Sequence, residues 1–479
     1  MTETFFFYDL ETSGFSARED RIMQFAGQRT DMNLKPIGEP INYFITMTSD
    51  RIPGVDAVLL TGITPQKTVE EGISEAEFIK IFDSEISKPG TIFLGFNSIR
   101  FDDEFMRFLF FRNFYDSYEW QWKDGKSRWD LLDLSRMTRA LRPEGIKWPV
   151  DDNGKPANRL ELLSKANNLD HHSAHDALSD VMATIALADL LRTKQQKLFD
   201  YLLNLRTKKQ VQDFLSKNKM FVYSSGKYPS ESEKTAVVLN LGPHPDNLGG
   251  VLVYDLRYDP YEFTKLTPKE LAERWRYSKD SELIRLPIKS LQPNRCPAIA
   301  PMSVLDKDSA KRLNLDLTQI DRNHKKLLED KEFFSKLEQM LELVNKEREE
   351  KFKSTPTVVD AKLYDGFISD TDKKLFPKIR ESAPEEITRS TQSLKDSRLK
   401  TMAPLYKARN YQKYLDDHER EVWEKYRTEY LLGGQSESRM VQYMKYIEAK
   451  KQESLNKDQK YLLDELVLWA ESIMPDPLG

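Results

Sequence analysis

The chain has 479 residues, 39% of them hydrophobic, and a formal net charge of −4 at pH 7. This length can bury substantial cores and predicts about two to four domains. The single cysteine, Cys296, excludes an intramolecular disulfide and a cysteine-based zinc site. No apolar run approaches the roughly 18 residues of a membrane span and no signal peptide is recognisable, so we expect a soluble, cytoplasmic protein.

The first predicted element is a buried strand followed by two acidic residues. Phe5 to Tyr8 form an apolar, aromatic run, and Asp9 and Glu11 follow it. Residues two apart in a strand point to the same face, so the two carboxylates project side by side. The pair either binds a divalent cation or contains one protonated acid. By itself it could equally be two solvated acids at a sheet edge.

A second acidic group follows another predicted strand, residues 91–96. Asp102, Asp103 and Glu104 begin a segment that contains Phe105, Leu109 and Phe110 at helical spacing. Acidic residues in a first helical turn commonly just interact favourably with the helix dipole. Without other evidence, this group is a helix cap.

The third group lies in HHSAHDALSD, where His175 and Asp180 stand five positions apart. Apolar residues from Ala174 to Ala186 recur at helical spacing, which places Asp180 on a helix and His175 at or just before its first turn. Five residues turn the helix by roughly 140° net, so both side chains can serve one site only if His175 precedes the regular helix. Nothing comparable supports His171 or His172.

Periodicity changes divide the rest of the chain. Residues 1 to about 195 alternate strand-like and helical stretches, as in an α/β domain. Residues 219–300 contain short β-like runs, among them MFVYSS, TAVVLNL, VLVYDLRY and IRLPIKSL. Residues 330–350 have helical spacing, 351–357 are the predicted linker, and the remainder reads as amphipathic helices.

The charge is unevenly distributed along the chain. Residues 1–200 hold 24 Lys and Arg against 32 Asp and Glu, whereas residues 201–300 hold 16 against 11. Binding to phosphates requires local positive potential, so the negative net charge does not exclude a nucleic-acid partner.

The three acidic groups together resemble the motifs of the DEDDh superfamily of 3′→5′ exonucleases. The matching residues are Asp9-Leu10-Glu11, Gly95 through Asp102, and His175 through Asp180. Longer stretches resemble the bacterial exodeoxyribonuclease I family: LTGITPQ (60–66), RFDDEFMRFLFFRNFYDSYEWQW (100–122), SRWDLLDL (127–134), ALRPEGIKWP (140–149), RLELLSKAN (159–167), LFDYL (198–202), LYDGFISDTD (363–372) and YKARNY (406–411).

The resemblance implies an α/β, ribonuclease H-like DEDDh exonuclease domain over residues 1–195. It further implies an SH3-like β-rich domain with inserted helices over 196–350 and a C-terminal helical domain over 351–479. The implied activity is 3′→5′ degradation of single-stranded DNA to 5′-mononucleotides by two-metal-ion hydrolysis, in DNA repair and recombination. We expect a monomer.

The same resemblance assigns roles to the acidic groups. Two Mg²⁺ ions, which Mn²⁺ can replace, are expected on Asp9, Glu11, Asp102 and Asp180, since carboxylates without softer ligands suit a hard cation. His175 is the expected general base, and Glu11 is also expected to contact the substrate.

Aromatic and basic residues between 107 and 122 predict contacts with a single strand. About half of the aromatic residues there, Tyr115, Tyr118, Trp120 and Trp122, should instead belong to the core. The resemblance selects these DNA-binding residues: Arg107, Tyr118, Trp122, Arg136, Asn158 and Arg159. It also assigns Arg142 and Tyr201 to the acidic C-terminal tail of single-stranded DNA-binding protein, although Asp306 stands where a basic or neutral residue is expected.

Two alternatives remain open from the sequence. One is a 3′→5′ exonuclease that acts on RNA with the same site. The other is a non-catalytic single-strand-binding module, which the presence of all five site residues disfavours.

Overall fold

The computed structural model describes residues 2–169, 176–247, 249–276, 283–353, 358–434 and 437–475. His175, His171 and His172 therefore lie outside the described residues, as does most of the predicted linker. None of the described helices combines the length and hydropathy that a membrane crossing requires.

The strands, in chain order, are β1 Thr4–Thr12, β2 Ile22–Thr30, β3 Ile41–Phe44, β4 Thr91–Gly95, β5 Ser127–Asp130, β6 Met220–Ser224, β7 Thr235–Pro243, β8 Val251–Asp255, β9 Ile288–Leu291 and β10 Ala298–Pro301.

The helices are α1 Val55–Thr61, α2 Pro65–Glu71, α3 Glu75–Ile81, α4 Asp102–Arg112, α5 Leu131–Leu141, α6 Leu160–Ala166, α7 Ala177–Lys194, α8 Gln196–Asn204, α9 Lys208–Lys217, α10 Tyr261–Thr264, α11 Pro268–Trp275, α12 Lys307–Arg312, α13 Leu317–Glu329, α14 Phe333–Lys353, α15 Asp370–Lys373, α16 Phe376–Glu381, α17 Ile387–Thr391, α18 Ser397–Asn410, α19 Asp417–Leu432, α20 Arg439–Lys451 and α21 Lys457–Ser472.

The chain forms two compact units. The first combines residues 1–127, 172–182 and 357–479, and the second combines residues 128–171 and 183–356. The four predicted metal ligands, Asp9, Glu11, Asp102 and Asp180, all fall within the first unit.

The first unit contains four adjoining strands of a mixed sheet, in the order β3-β2-β1-β4. β1 runs antiparallel to β2 and parallel to β4. Phe5 and Phe7 on one face of β1 and Phe6 and Tyr8 on the other are all buried, which explains the continuous aromatic run. Because β1 and β4 are parallel, the residues that follow them meet at the same edge of the sheet.

The C-terminal helices share hydrophobic cores with this α/β part. Phe114 lies between Phe376 and Tyr406, with ring centroids 5.8 and 5.2 Å away. In a second core, Val58 of α1 packs with Leu466 of α21. Residues 358–475 therefore complete the interior of the first unit.

A buried ion cluster also joins these parts of the first unit. Arg409 donates to Asp50 and Asp360 at 2.8 Å, and Arg21 donates to Asp360 at 2.6 Å. Arg51 contacts both carboxylates as well. Burial opposes ionisation of the two acids, but the arginines outweigh it and hold the pKa of Asp50 and of Asp360 below the usual range.

The second unit contains an antiparallel sheet in the order β10-β6-β7-β8-β9. Strands β6 to β9 correspond to the four predicted β-like runs, whereas β10 was not predicted. The predicted linker is wrong in its first part, because α14 continues to Lys353. The helix continues through the charged residues that follow the apolar pattern, beyond the predicted end at residue 350.

Candidate active site

Three carboxylates converge at the carboxyl end of β1. Asp9 and Glu11 project from this strand, and Asp180 comes from the first turn of α7. Each offers an oxygen, and these atoms all lie within 4.8 Å of one another. Clustered carboxylate oxygens are the ligands that hard divalent cations prefer, so the donor set fits the expected metal.

Asp102 lies beside this group. It begins α4 shortly after β4 and is buried. Asp102 is not a member of the three-residue group, but it is close enough for its charge to raise the pKa of Asp9. The structure thus brings the four predicted metal ligands to the edge of the sheet at which β1 and β4 end.

The site strongly disfavours the ionised forms of Asp9 and Glu11. Burial raises the pKa of Asp9 well above its ordinary value, and the charges of Asp102, Asp180 and Asp176 raise it further. Burial, followed by Asp9, Asp180 and Asp176, raises the pKa of Glu11 to about 9. A bound divalent cation would relieve this repulsion and favour the ionised carboxylates.

Asp176, which was not among the predicted site residues, adds another carboxylate to the neighbourhood. Its Oδ2 accepts a hydrogen bond from the Ser179 backbone N–H at 3.1 Å, so it caps the start of α7. An aspartate immediately before the apolar helical pattern was the signal for this cap. His175 directly precedes it in sequence, and its role as general base stays a prediction.

Of the predicted DNA-binding residues, three lie in the first unit. Arg107 is buried, pairs with Glu104 at 2.6 Å and donates to Gln121 at 3.1 Å. Its guanidinium lies 5.8 Å from the centre of the Tyr118 ring. Trp122 is 62% exposed and open to contact. Tyr115 and Trp120 are buried against Phe110, so these two aromatic residues belong to the core as expected.

The other three lie in the second unit. Arg136 pairs with Asp133 at 2.6 Å, and Arg159 is exposed with Glu161 at 3.4 Å. The side-chain oxygen of Asn158 is buried and has no hydrogen-bond partner among the described residues. A buried oxygen of this kind is available to a donor on a ligand.

Arg142 and Tyr201 line one cavity of about 600 Å³ within the second unit. Lys194, Lys197 and the apolar residues Leu198 and Val304 also line it. The Tyr201 hydroxyl is buried without a partner among the described atoms, and burial raises its pKa to about 12. The cavity therefore combines cations, a hydroxyl donor and apolar surface.

Asp306 lies next to the same arginine. One of its carboxylate oxygens is 3.6 Å from Arg142 Nη1. Asp306 also caps α12 by accepting a hydrogen bond from the Ser309 backbone N–H at 2.7 Å. An acidic residue at this position thus has a structural role and neutralises part of the Arg142 charge.

Comparison with known proteins identifies the family. Models described as exonuclease, exonuclease I SH3-like domain and exonuclease I C-terminal domain match residues 6–188, 206–343 and 357–473. Exodeoxyribonuclease I of Haemophilus influenzae is 40% identical over 431 residues, which cover 88% of this chain and 90% of the relative. The chain belongs to the exodeoxyribonuclease I family. It is accordingly a DNA exonuclease.

Solved structures of exonuclease I have the same fold. Exonuclease I of Methylocaldum szegediense superposes with a TM-score of 0.91 at 39% identity, covering 98% of this chain and 99% of the other. Escherichia coli exonuclease I, in complex with a 5cy-dT13 oligonucleotide, gives a TM-score of 0.91 at 36% identity, covering 99% and 100%. The predicted fold class is confirmed, while the boundaries at 195/196 and 350/351 stay predictions.

Proposed function

We propose that this exodeoxyribonuclease I family member hydrolyses single-stranded DNA from its 3′ end and releases 5′-mononucleotides. The observation that carries the proposal is the convergence of Asp9, Glu11 and Asp180 within 4.8 Å, with Asp102 beside them. The solved E. coli complex with a dA16 oligonucleotide, at 36% identity, supports the choice of substrate. We assign this activity to DNA repair and recombination in the cytoplasm.

The chemistry follows from the roles of this chain's side chains. Asp9, Glu11, Asp102 and Asp180 would hold two divalent ions, which when bound activate the attacking water and stabilise the leaving oxygen. We propose Mg²⁺ as the ion, with Mn²⁺ able to replace it, since the oxygen ligands suit hard cations. E. coli exonuclease I has also been solved with single-stranded DNA in a zinc-bound form.

His175 completes the proposed mechanism. With an ordinary pKa near 6.5, a histidine can accept the proton of the attacking water at neutral pH. We also propose that Glu11 contacts the terminal nucleotide. Its position two residues beyond Asp9, at the carboxyl end of β1, supports this assignment.

Six side chains are proposed to hold the DNA strand. Stacking on aromatic rings and pairing with phosphates need no base sequence, which suits a general exonuclease. The exposed ring of Trp122 and the unpartnered oxygen of Asn158 support their part in binding. The proposed set is Arg107, Tyr118, Trp122, Arg136, Asn158 and Arg159.

The proposed protein partner is single-stranded DNA-binding protein, through its acidic C-terminal tail. The cavity lined by Arg142 and Tyr201 offers cations for carboxylates and apolar surface for hydrophobic side chains. A solved exonuclease I that is 35% identical to this chain is an SSB/exonuclease I structure with the inhibitor CFAM. We propose that the enzyme itself is a monomer.

The deciding experiment is digestion of matched DNA and RNA oligonucleotides, single-stranded and duplex, labelled at either end. We expect metal-dependent release of mononucleotides from the 3′ end of single-stranded DNA. Preferred cleavage of RNA would favour the RNA-directed alternative. Binding without any nucleotide release in Mg²⁺ or Mn²⁺ would favour the non-catalytic module.

A further inference from the structure

A buried hydrogen bond connects the two elements that carry Asp9 and Asp102. The Tyr8 hydroxyl donates to Asp103 Oδ1 at 2.5 Å, and the two residues are separated by 95 positions in the chain. Tyr8 immediately precedes Asp9, and Asp103 immediately follows Asp102. Both partners are buried, at 2% and 1% exposure. The bond therefore joins β1 to the start of α4 one residue away from a proposed metal ligand on each side.

A second buried group connects the strands to α7. Gln24 lies opposite Glu11 in the β1–β2 pairing and is 2% exposed. Its Nε2 donates to Asp176 Oδ1 at 3.1 Å and to Asn42 Oδ1 at 3.0 Å. Its Oε1 accepts from the Ala177 backbone N–H at 3.4 Å. Gln24 thus contacts the start of α7, the helix that carries Asp180, across 152 positions of sequence.

We infer that Tyr8 and Gln24 are positioning residues that set the spacing of the metal ligands; this rests on the function proposed above. Neither side chain carries a carboxylate, and neither is among the proposed ligands. Tyr8 fixes α4, and hence Asp102, relative to Asp9. Gln24 fixes the start of α7, and hence Asp180, relative to Glu11.

The electrostatics of the site explain why such fixation is needed. Oxygens of Asp9, Glu11 and Asp180 lie within 4.8 Å of one another, and ionised carboxylates this close repel unless a cation or protons neutralise them. The elements that bear these acids are otherwise distant in sequence, so local chain geometry cannot hold the acids together. A polar tether beside each ligand keeps the oxygens close before the cation arrives, which improves metal affinity.

The test uses two substitutions that remove only the tethers, Tyr8→Phe and Gln24→Met. Binding of Mn²⁺ alone to the DNA-free protein is followed by electron paramagnetic resonance, and the Mg²⁺ dependence of digestion is measured in parallel. We expect each variant to bind Mn²⁺ roughly 10- to 100-fold more weakly, as for other residues that support ligands. The rate should recover largely at saturating Mg²⁺, with little change in KM for DNA.

Tyr254→Phe is the matched control. The Tyr254 hydroxyl donates to the Tyr258 carbonyl oxygen at 3.3 Å in the second unit, so the variant loses a partly buried tyrosine hydrogen bond that involves none of the site residues. Its Mn²⁺ affinity should equal that of the wild type. Thermal unfolding of each variant separates a loss of stability from a loss of metal affinity.

The outcomes are distinct. Wild-type Mn²⁺ affinity in folded Tyr8→Phe and Gln24→Met protein overturns the inference, even if both variants are less stable. If one variant does not fold, the other decides. Failure of the wild type itself to bind Mn²⁺ would instead contradict the proposed function.

Discussion

Asp9 is held in an environment that disfavours its ionised form unless a cation is bound. It is half-buried at the edge of the sheet, and the charges of Asp102, Asp180 and Asp176 raise its pKa. Asp9 therefore lowers the stability of the metal-free protein. When a cation is bound, the same carboxylate is a strong ligand.

Replacing Asp9 by Asn should therefore separate activity from stability. We expect the rate of DNA digestion to fall by more than tenfold, at least about 1.4 kcal/mol in the barrier, because a ligand is lost. Thermal unfolding in EDTA should occur at the same or a higher temperature than for the wild type, because repulsion is reduced. Mg²⁺ should raise the unfolding temperature of the wild type more than that of the variant. Equal digestion rates would show that Asp9 is not a ligand.

Removing the charge of Asp306 should strengthen binding of the proposed partner's acidic tail. The Asp306 carboxylate lies 3.6 Å from Arg142 Nη1, and both side chains are partly exposed. Asp306→Asn keeps a good helix cap but removes the competing charge, so an acidic tail peptide should bind about two- to tenfold more tightly. Fluorescence anisotropy with the labelled peptide measures the change.

Asp308→Asn controls for net charge in the same experiment. Asp308 lies in the first turn of the same helix, α12. Among the described residues, Arg142 pairs with Asp306 and not with Asp308. The peptide affinity should stay close to that of the wild type. Equal gains in both variants would mean that only overall charge matters.

Among the structural elements, the buried ion cluster dominates the electrostatics of the first unit. The segment that precedes α1 carries Asp50 and Arg51, and α18 carries Arg409. The pKa values of Asp50 and Asp360 are both lowered by folding. Their contribution to stability is therefore fully present above the pKa of an unfolded aspartate, about 3.9. The contribution is lost as the pH falls below that value.

Asp360→Asn tests the cluster. The variant leaves Arg21, Arg51 and Arg409 without one buried counter-charge, which should cost about 3 to 5 kcal/mol at neutral pH. The difference from the wild type should shrink as the pH is lowered from 5 towards 3. Urea unfolding followed by circular dichroism across this range measures both effects. A difference that is constant with pH would show that the ionised carboxylate of Asp360 is not what stabilises the cluster.

Elements with a strong local pattern were predictable, and those that depend on distant partners were not. The aromatic run before Asp9 and the apolar spacing after Asp180 predicted β1 and α7 correctly. The capping role of Asp176 was visible in the sequence but overlooked. The pairing of Arg21 with Asp360 was not predictable, because their separation of 339 positions leaves no local signal.

The C-terminal helices form hydrophobic cores together with the α/β part of the first unit. Phe108, Phe111 and Phe114 of the α/β part share one core with Phe376 and Tyr406. Met23, Val55 and Val58 share another with helices near the C-terminus. Separation of the two parts would expose these side chains to water.

A fragment of residues 1–356 should consequently be unstable. It lacks Asp360, Arg409 and the apolar residues that cover both cores, so we expect aggregation or a loss of fixed tertiary structure. Near-ultraviolet circular dichroism and limited proteolysis would detect the loss, with the full chain as reference. The shorter fragment of residues 1–195 should behave in the same way. A folded fragment that digests short oligonucleotides at the full rate would show that the shared cores are dispensable.

The distance along the chain between Arg21 and Asp360 also has a consequence for biosynthesis. At roughly 5 to 20 residues per second, a ribosome needs on the order of 20 to 70 s to translate from one to the other, a separation of 339 positions. During that interval the arginine lacks its buried counter-charge, and Phe114, once made, lacks its contacts with Phe376 and Tyr406, so we expect the first unit to stay incompletely folded. We expect the nuclease to mature only after translation of its last helices, which keeps incomplete chains from digesting DNA.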